Sequence, residues 1–161
     1  MSLYQFLASN RPLKDRLNPN IEFLSIEEAE NRGVQLPNWY QKDMRIDRQG
    51  KIVLFCSSEE CLHELEIRED NDSIQAKNYS NKKCFSSISW RFTESRGQEL
   101  IDYIAEHLES ASEIELWNTW LDEQEVPIMK KCHIATLKVS DLEEVFGQCS
   151  YEKPHCLIVK R

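Results

Sequence analysis

A chain of 161 residues is long enough for one ordinary domain with its own core, and no apolar run in it approaches the roughly 20 residues that span a bilayer. Its net charge of −8 disfavours a general nucleic-acid binder, which needs a basic face for phosphates, and equally an anionic membrane surface as partner. Six cysteines at irregular spacing, behind a start (Met1 to Leu7) with neither a basic region nor a long apolar one, read as reduced thiols of a cytoplasmic protein rather than as a disulfide scaffold.

Residues 1–20 mix a short apolar stretch with Asn10-Arg11-Pro12 and Asn18-Pro19-Asn20, loop signals that predict a short helical or irregular arm laid on the domain. Ile21 to Leu24 reads as a strand. Ser25 then stands three residues before Glu28, a capping box, with Leu24 and Ala29 placed as a hydrophobic staple and Gly33 as a left-handed stop. This sets a short helix at about 26–32. Pro37 to Tyr40 is a candidate single turn. Lys51 to Cys56 is almost continuously apolar, the pattern of a central strand buried on both faces. In Leu62 to Arg68, Glu64 and Glu66 alternate with Leu65 and Ile67, as in a half-buried strand. Glu69 to Asp72 predicts a hairpin turn and Ile74 to Tyr79 a weaker strand. In a further strand, Phe85 to Phe92, Ile88, Trp90 and Phe92 share the apolar face.

The strongest helix runs over about 94–109, with Gly97, Leu100, Ile101, Ile104, Ala105 and Leu108 on one face and Glu99, Asp102, Glu106 and Glu109 towards water. Glu113 to Trp120 alternates as a strand, Pro127 to Ile134 is another, and Cys156 to Val159 is the last. Ser140 with Glu143 repeats the capping box, predicting a short helix at about 141–146 that Gly147 ends. Runs of strands with occasional helices predict an α+β fold: a mainly antiparallel sheet of about six to eight strands in a single domain, 1–161.

The chemistry-bearing residues are sparse. Cys61 with His63, Cys132 with His133, and His155 with Cys156 are near neighbours, but zinc needs about four converging ligands and no Cys-x-x-Cys occurs. In strands, Cys132 and His133 face opposite ways, as do His155 and Cys156; Cys61 and His63 share a face. Cys56, at the end of its apolar run, and the Cys61–His63 pair are the candidate reactive thiol groups, although no flanking glycine elbow or helix N-terminus lowers a pKa there. His63-Glu64 opens like a His-Glu-x-x-His zinc motif, but Ile67 takes the second ligand position. Four glycines leave no material for a phosphate loop, and no catalytic residue, cofactor or metal is expected.

Charge is more unevenly spread. From Glu94 to Glu125 there are ten acidic residues against one arginine, Arg96, whereas Lys77 to Arg91 carries Lys77, Lys82, Lys83 and Arg91 and no acid. Glu99, Asp102, Glu106 and Glu109, with Trp117 or Trp120 as an aromatic anchor, form a candidate partner surface. Trp117 and Trp120 lie three apart and face opposite ways in a strand. The opening Met1 to Leu7, the Ile114 to Asp122 stretch and the ending Lys153 to Arg161 resemble, nearly end to end, an uncharacterised family of small bacterial proteins. That resemblance implies a single-domain bacterial cytosolic protein and carries no activity, cofactor or catalytic residue. The expected function is non-catalytic binding of a protein partner through the acidic surface; the alternative is a small-molecule-binding protein or enzyme with a Cys/His-containing cleft.

Overall fold

The computed structural model describes residues 3–38, 47–120, 125–147 and 153–161. Trp39, Tyr40, Asp122 and Glu123 lie outside them. The chain divides into two compact units, Met1–Leu17 with Glu64–Arg161, and Asn18–His63. The fold is α+β.

The larger unit is built on a six-stranded mixed sheet. Its strands are β1 (Leu3–Ser9), β4 (Glu66–Glu69), β5 (Cys84–Ser89), β6 (Glu113–Trp120), β7 (Ile128–His133) and β8 (His155–Lys160), ordered β4-β5-β1-β6-β8-β7. Four neighbouring pairs are antiparallel; only β7 and β8 run parallel. The opening segment is therefore no helical or irregular arm. Leu3–Ser9 is an inner strand paired on both edges, because both of its faces are apolar enough to be covered: Leu7 enters one core while Phe6 and Ala8 enter the other.

One face carries the main core. Leu7, Ile114, Leu116, Leu157 and Val159 of the sheet meet Leu100, Ile104, Leu142 and Phe146 from two helices, α4 (Glu94–His107) and α5 (Val139–Phe146). Each such side chain, fully buried, contributes about 1.5–3 kcal/mol. Thr93 caps α4 by accepting the Arg96 N–H at 3.2 Å. Tyr103 and His107 join Leu100 and Ile104 on the buried side of α4, whereas Ala105 is exposed. The His107 ring is oriented by two backbone contacts, Nε2 with the Lys14 N–H at 3.1 Å and Nδ1 with the Tyr103 carbonyl at 2.8 Å. The helices approach closely at Gly97, where a Cβ would stand 2.9 Å from Val139 Cγ1. The second helix starts earlier than the Ser140–Glu143 spacing predicts. Asp141, not Ser140, serves its N-terminus, accepting the Lys138 N–H at 2.9 Å.

A polar thread crosses this core. Trp90 Nε1 donates to Gln5 at 2.9 Å, Gln5 donates to Asn118 at 3.1 Å, and Asn118 donates to the Val145 carbonyl at 2.6 Å. Asn118 thereby ties the end of the helix to β6.

The segment Ile74–Tyr79, expected as a strand, is instead helix α3. Ser73 caps it by accepting the Ala76 N–H at 3.1 Å, a signal that outweighs the β-like look of its few apolar residues. It lies on the second face of the sheet, packing Ala76 and Tyr79 against Phe6, Phe85 and Trp117.

The smaller unit holds β2 (Glu22–Leu24) and β3 (Val53–Phe55), an antiparallel pair, with α1 (Ile26–Asn31) and α2 (Glu59–Leu62). The cap reading of α1 agrees with the structure. Ser25 Oγ accepts the Glu28 N–H at 3.1 Å and Glu28 accepts the Ser25 N–H at 2.7 Å. Gly33, at φ 73°, ends the helix with the Gly33 N–H on the Glu30 carbonyl and the Val34 N–H on that of Ala29. Leu24 and Ala29 share one buried cluster, as a staple requires. The apolar run at Lys51 to Cys56 is not a central strand: it contributes one strand of a two-stranded ribbon, and Leu54 is 51% exposed.

Candidate functional site

Among the described residues of the larger unit, one helix, α3, packs on the second face of the sheet. Strand pairing lines up Arg68, Ser87, Phe6, Trp117, Cys156 and Met129 across all six strands, with Phe85, Ala8, Glu115, Ile158 and Lys131 in the next row. Helix α3 lies over the Phe6–Phe85 half. Beyond it, between the chain leaving α3 and strand β7, an open cleft of about 450 Å³ remains. Tyr79, Asn81 and Lys82 form one wall, Pro127 and Met129 the other, with Trp117 and Glu115 beneath.

The floor is a stack of rings. Trp117 lies parallel to Phe6 at 5.8 Å, Tyr79 tilts against Trp117 at 5.5 Å, and Tyr4 stacks on Phe6 at 5.2 Å. The Trp117 indole donates to Glu115 Oε2 at 2.9 Å, which fixes the ring. Tyr4 donates to Asp70 at 2.7 Å and takes the Ser73 hydroxyl at 2.8 Å, anchoring the cap of α3.

Lys82 supplies the charge balance. It turns inward, hydrogen-bonds Glu113 and lies 3.7 Å from Glu115, while Lys160 reaches Glu113 from β8 at 3.4 Å. The Lys82 ammonium, aided by Lys160, holds the Glu113 carboxyl below the usual carboxylate range against the opposing effect of burial. Burial, with Glu115 and Glu113 adding to it, pushes the Cys156 thiol up and keeps it protonated. The cleft surface offers the half-buried Tyr79 ring, Pro127 and exposed Met129 among the polar Asn10, Ser80, Asn81, Lys82 and Glu115, with Trp117 buried beneath them. Among the described residues, no cysteine or histidine lines the cleft.

The residues singled out by sequence are dispersed. On α4, Glu99 pairs with Arg16, Glu106 with Lys14 at 3.3 Å, and Asp102 accepts from Gln98 at 2.9 Å; Glu109 is exposed beyond the end of the helix. These four share one side of the unit. Trp117 does not join them: it is buried and points to the opposite face of the sheet, towards the cleft. Trp120 is half-buried at the end of β6, facing the other way as alternation requires. Cys56 follows β3, Cys61 sits in α2 and His63 ends that helix, so all three belong to the smaller unit and none lines the cleft. Cys132 packs on the main core while His133 is exposed, and Cys156 is buried with His155 half-buried, matching the opposite-face argument. Among the described residues, no group of three His, Cys, Asp or Glu is placed to hold a metal ion.

Lys82, Glu115, Tyr79 and Met129 carry no motif that marks them as site residues in the sequence. The signal for the first two was present in the alternation Glu113, Glu115, Trp117, which puts two acids and an indole on one face near a lone basic segment. A scan against protein-family models, a search of curated proteins and a search of solved structures each found no match.

Proposed function

We propose that this chain is a non-catalytic binding protein that recognises a protein partner, with the cleft over Trp117 and Glu115 as its binding site. The observation that carries this reading is the cleft's makeup: a concave surface in which Tyr79, Pro127 and Met129 stand beside the fixed polar groups of Lys82 and Glu115, a mixture suited to recognition. Its titratable groups are engaged in ion pairs or held neutral, which supports binding over catalysis. A half-buried tyrosine, Tyr79, beside the exposed Met129 suits a protein segment, since both residue types recur in interface cores.

A second reading rests on the outer face of α4, where Glu94, Gln98, Asp102 and Glu109 are exposed in succession and would suit a basic partner. Selection of a displayed peptide library on the immobilised chain separates the two. The cleft reading predicts a consensus that Asn81→Arg abolishes and Asp102→Arg leaves intact. Loss with Asp102→Arg instead transfers the function to α4, and no enrichment by any variant refutes peptide recognition.

A further inference from the structure

The two edges of the large sheet are treated differently. At β4 the edge is closed by the chain's own segment: Arg16 and Ile67 exchange both backbone hydrogen bonds at 2.8 Å, and the Glu69 N–H is taken by Asp15 Oδ1 at 2.7 Å. At β7 no described strand lies outside. The Ile128 N–H goes to Pro154 O at 2.8 Å, and in a parallel ladder alternate residues bond to the same neighbour. Ile128, Lys130 and Cys132 thus address β8. The backbone N–H and C=O groups of Met129 and Lys131 point outward.

The side chains along this edge select what can pair with it. Lys130 is held on the helix side of the sheet by Asp141 and Glu144, each at 2.8 Å. Lys131 is exposed on the cleft side, next to Met129, which is 49% exposed. A second copy is a poor occupant. Two-fold antiparallel pairing about Lys131 sets Lys131 against Lys131, and about Lys130 it opposes two Lys130–Asp141–Glu144 clusters, each net negative; like charges directly opposite are unfavourable in both registers. Uncharged or basic strands gain nothing from Lys131 either.

We propose that β7 is a docking edge for an extended segment of another protein, which adds to the sheet as a seventh strand. The segment carries an acidic side chain opposite Lys131 and an apolar one opposite Met129, two residues apart on its cleft-side face. Main-chain hydrogen bonds to Met129 and Lys131 supply affinity, and the two side-chain contacts supply selection. The added strand lengthens the Met129 wall of the cleft. This inference rests on the partner-binding reading and specifies the partner's chemistry.

The test is amide hydrogen exchange on the full chain with a synthetic peptide, Thr-Val-Thr-Glu-Thr-Glu-Thr-Val-Thr, whose pattern reads the same in either direction. Peptide at ten times its dissociation constant slows exchange at the Met129 and Lys131 amides by about tenfold. Replacing both peptide glutamates by lysine weakens binding to the natural chain, and Lys131→Glu reverses that preference. No slowing at Met129 and Lys131 with any of these peptides, or binding indifferent to peptide charge, overturns the proposal. Slowing confined to Asn81 and Trp117 overturns the edge assignment while leaving the cleft reading standing. Conversely, edge binding with no peptide selection sensitive to Asn81→Arg removes the cleft alone.

Discussion

Lys82→Met probes the balance beneath the cleft directly. Methionine keeps most of the aliphatic stem but removes the ammonium that lies between Glu113 and Glu115. Two carboxylates two residues apart on one strand face are separated by about 6.6 Å, and at an effective dielectric near 20 their repulsion is about 2–3 kcal/mol. Lys160 still neutralises part of Glu113, so a loss of about 2 kcal/mol at pH 7 follows. The pH dependence has a definite sign. The Glu113 carboxyl is depressed in the folded natural chain, so its contribution is present above the ordinary carboxylate value and fades as pH falls through the lowered one. In the variant the repulsion also disappears on protonation. The stability gap measured by urea unfolding is therefore about 2 kcal/mol at pH 7 and shrinks as pH falls through the lowered Glu113 value. A gap that stays constant over that range would refute the ion-pair account and assign the loss to packing.

Other outcomes follow from single contacts. Asn118→Leu leaves the Val145 carbonyl and the Gln5 amide without their partner, and costs about 2–4 kcal/mol in urea unfolding; Gln5→Leu in the same chain adds less than its separate cost. Gly97→Ala drives a methyl into Val139 Cγ1 and loses about 1–3 kcal/mol, which Gly97→Ala with Val139→Ala partly restores. With a thiol-specific reagent at pH 8, Cys156 labels only on global unfolding, because it is buried and its thiol is pushed up. Cys132, also pushed up by burial, reacts more slowly than an ordinary exposed thiol.

Local signals were legible where the chain itself supplies the partner. Ser25, Glu28 and Gly33 bound a helix through contacts within ten residues, and the alternation of Glu113 to Trp120 sorts that strand's side chains to its two faces. The misreadings share a cause. Leu3–Ser9 looks like a terminal arm because its neighbours β5 and β6 are distant in sequence, and tertiary pairing decides its state. Lys51 to Cys56 looks central because an apolar run does not report how many strands flank it. At Ile74–Tyr79, Ser73 starts a helix where apolar content suggested a strand. The cleft was illegible for the same reason as β1. Tyr79, Lys82, Trp117 and Met129 meet only through pairings of high sequence separation, whereas the acidic run on α4 is visible in sequence and partly neutralised by Lys14 and Arg16.

The central claim is that a protein partner occupies the cleft. A photo-reactive amino acid placed at Asn81, on the cleft wall, is compared with one at Asp102 on α4, in cells that carry the natural gene. The account predicts one discrete protein adduct from position 81, lost when Lys131→Glu is added, and none from position 102. An adduct from position 102 alone, or none from position 81, would contradict it.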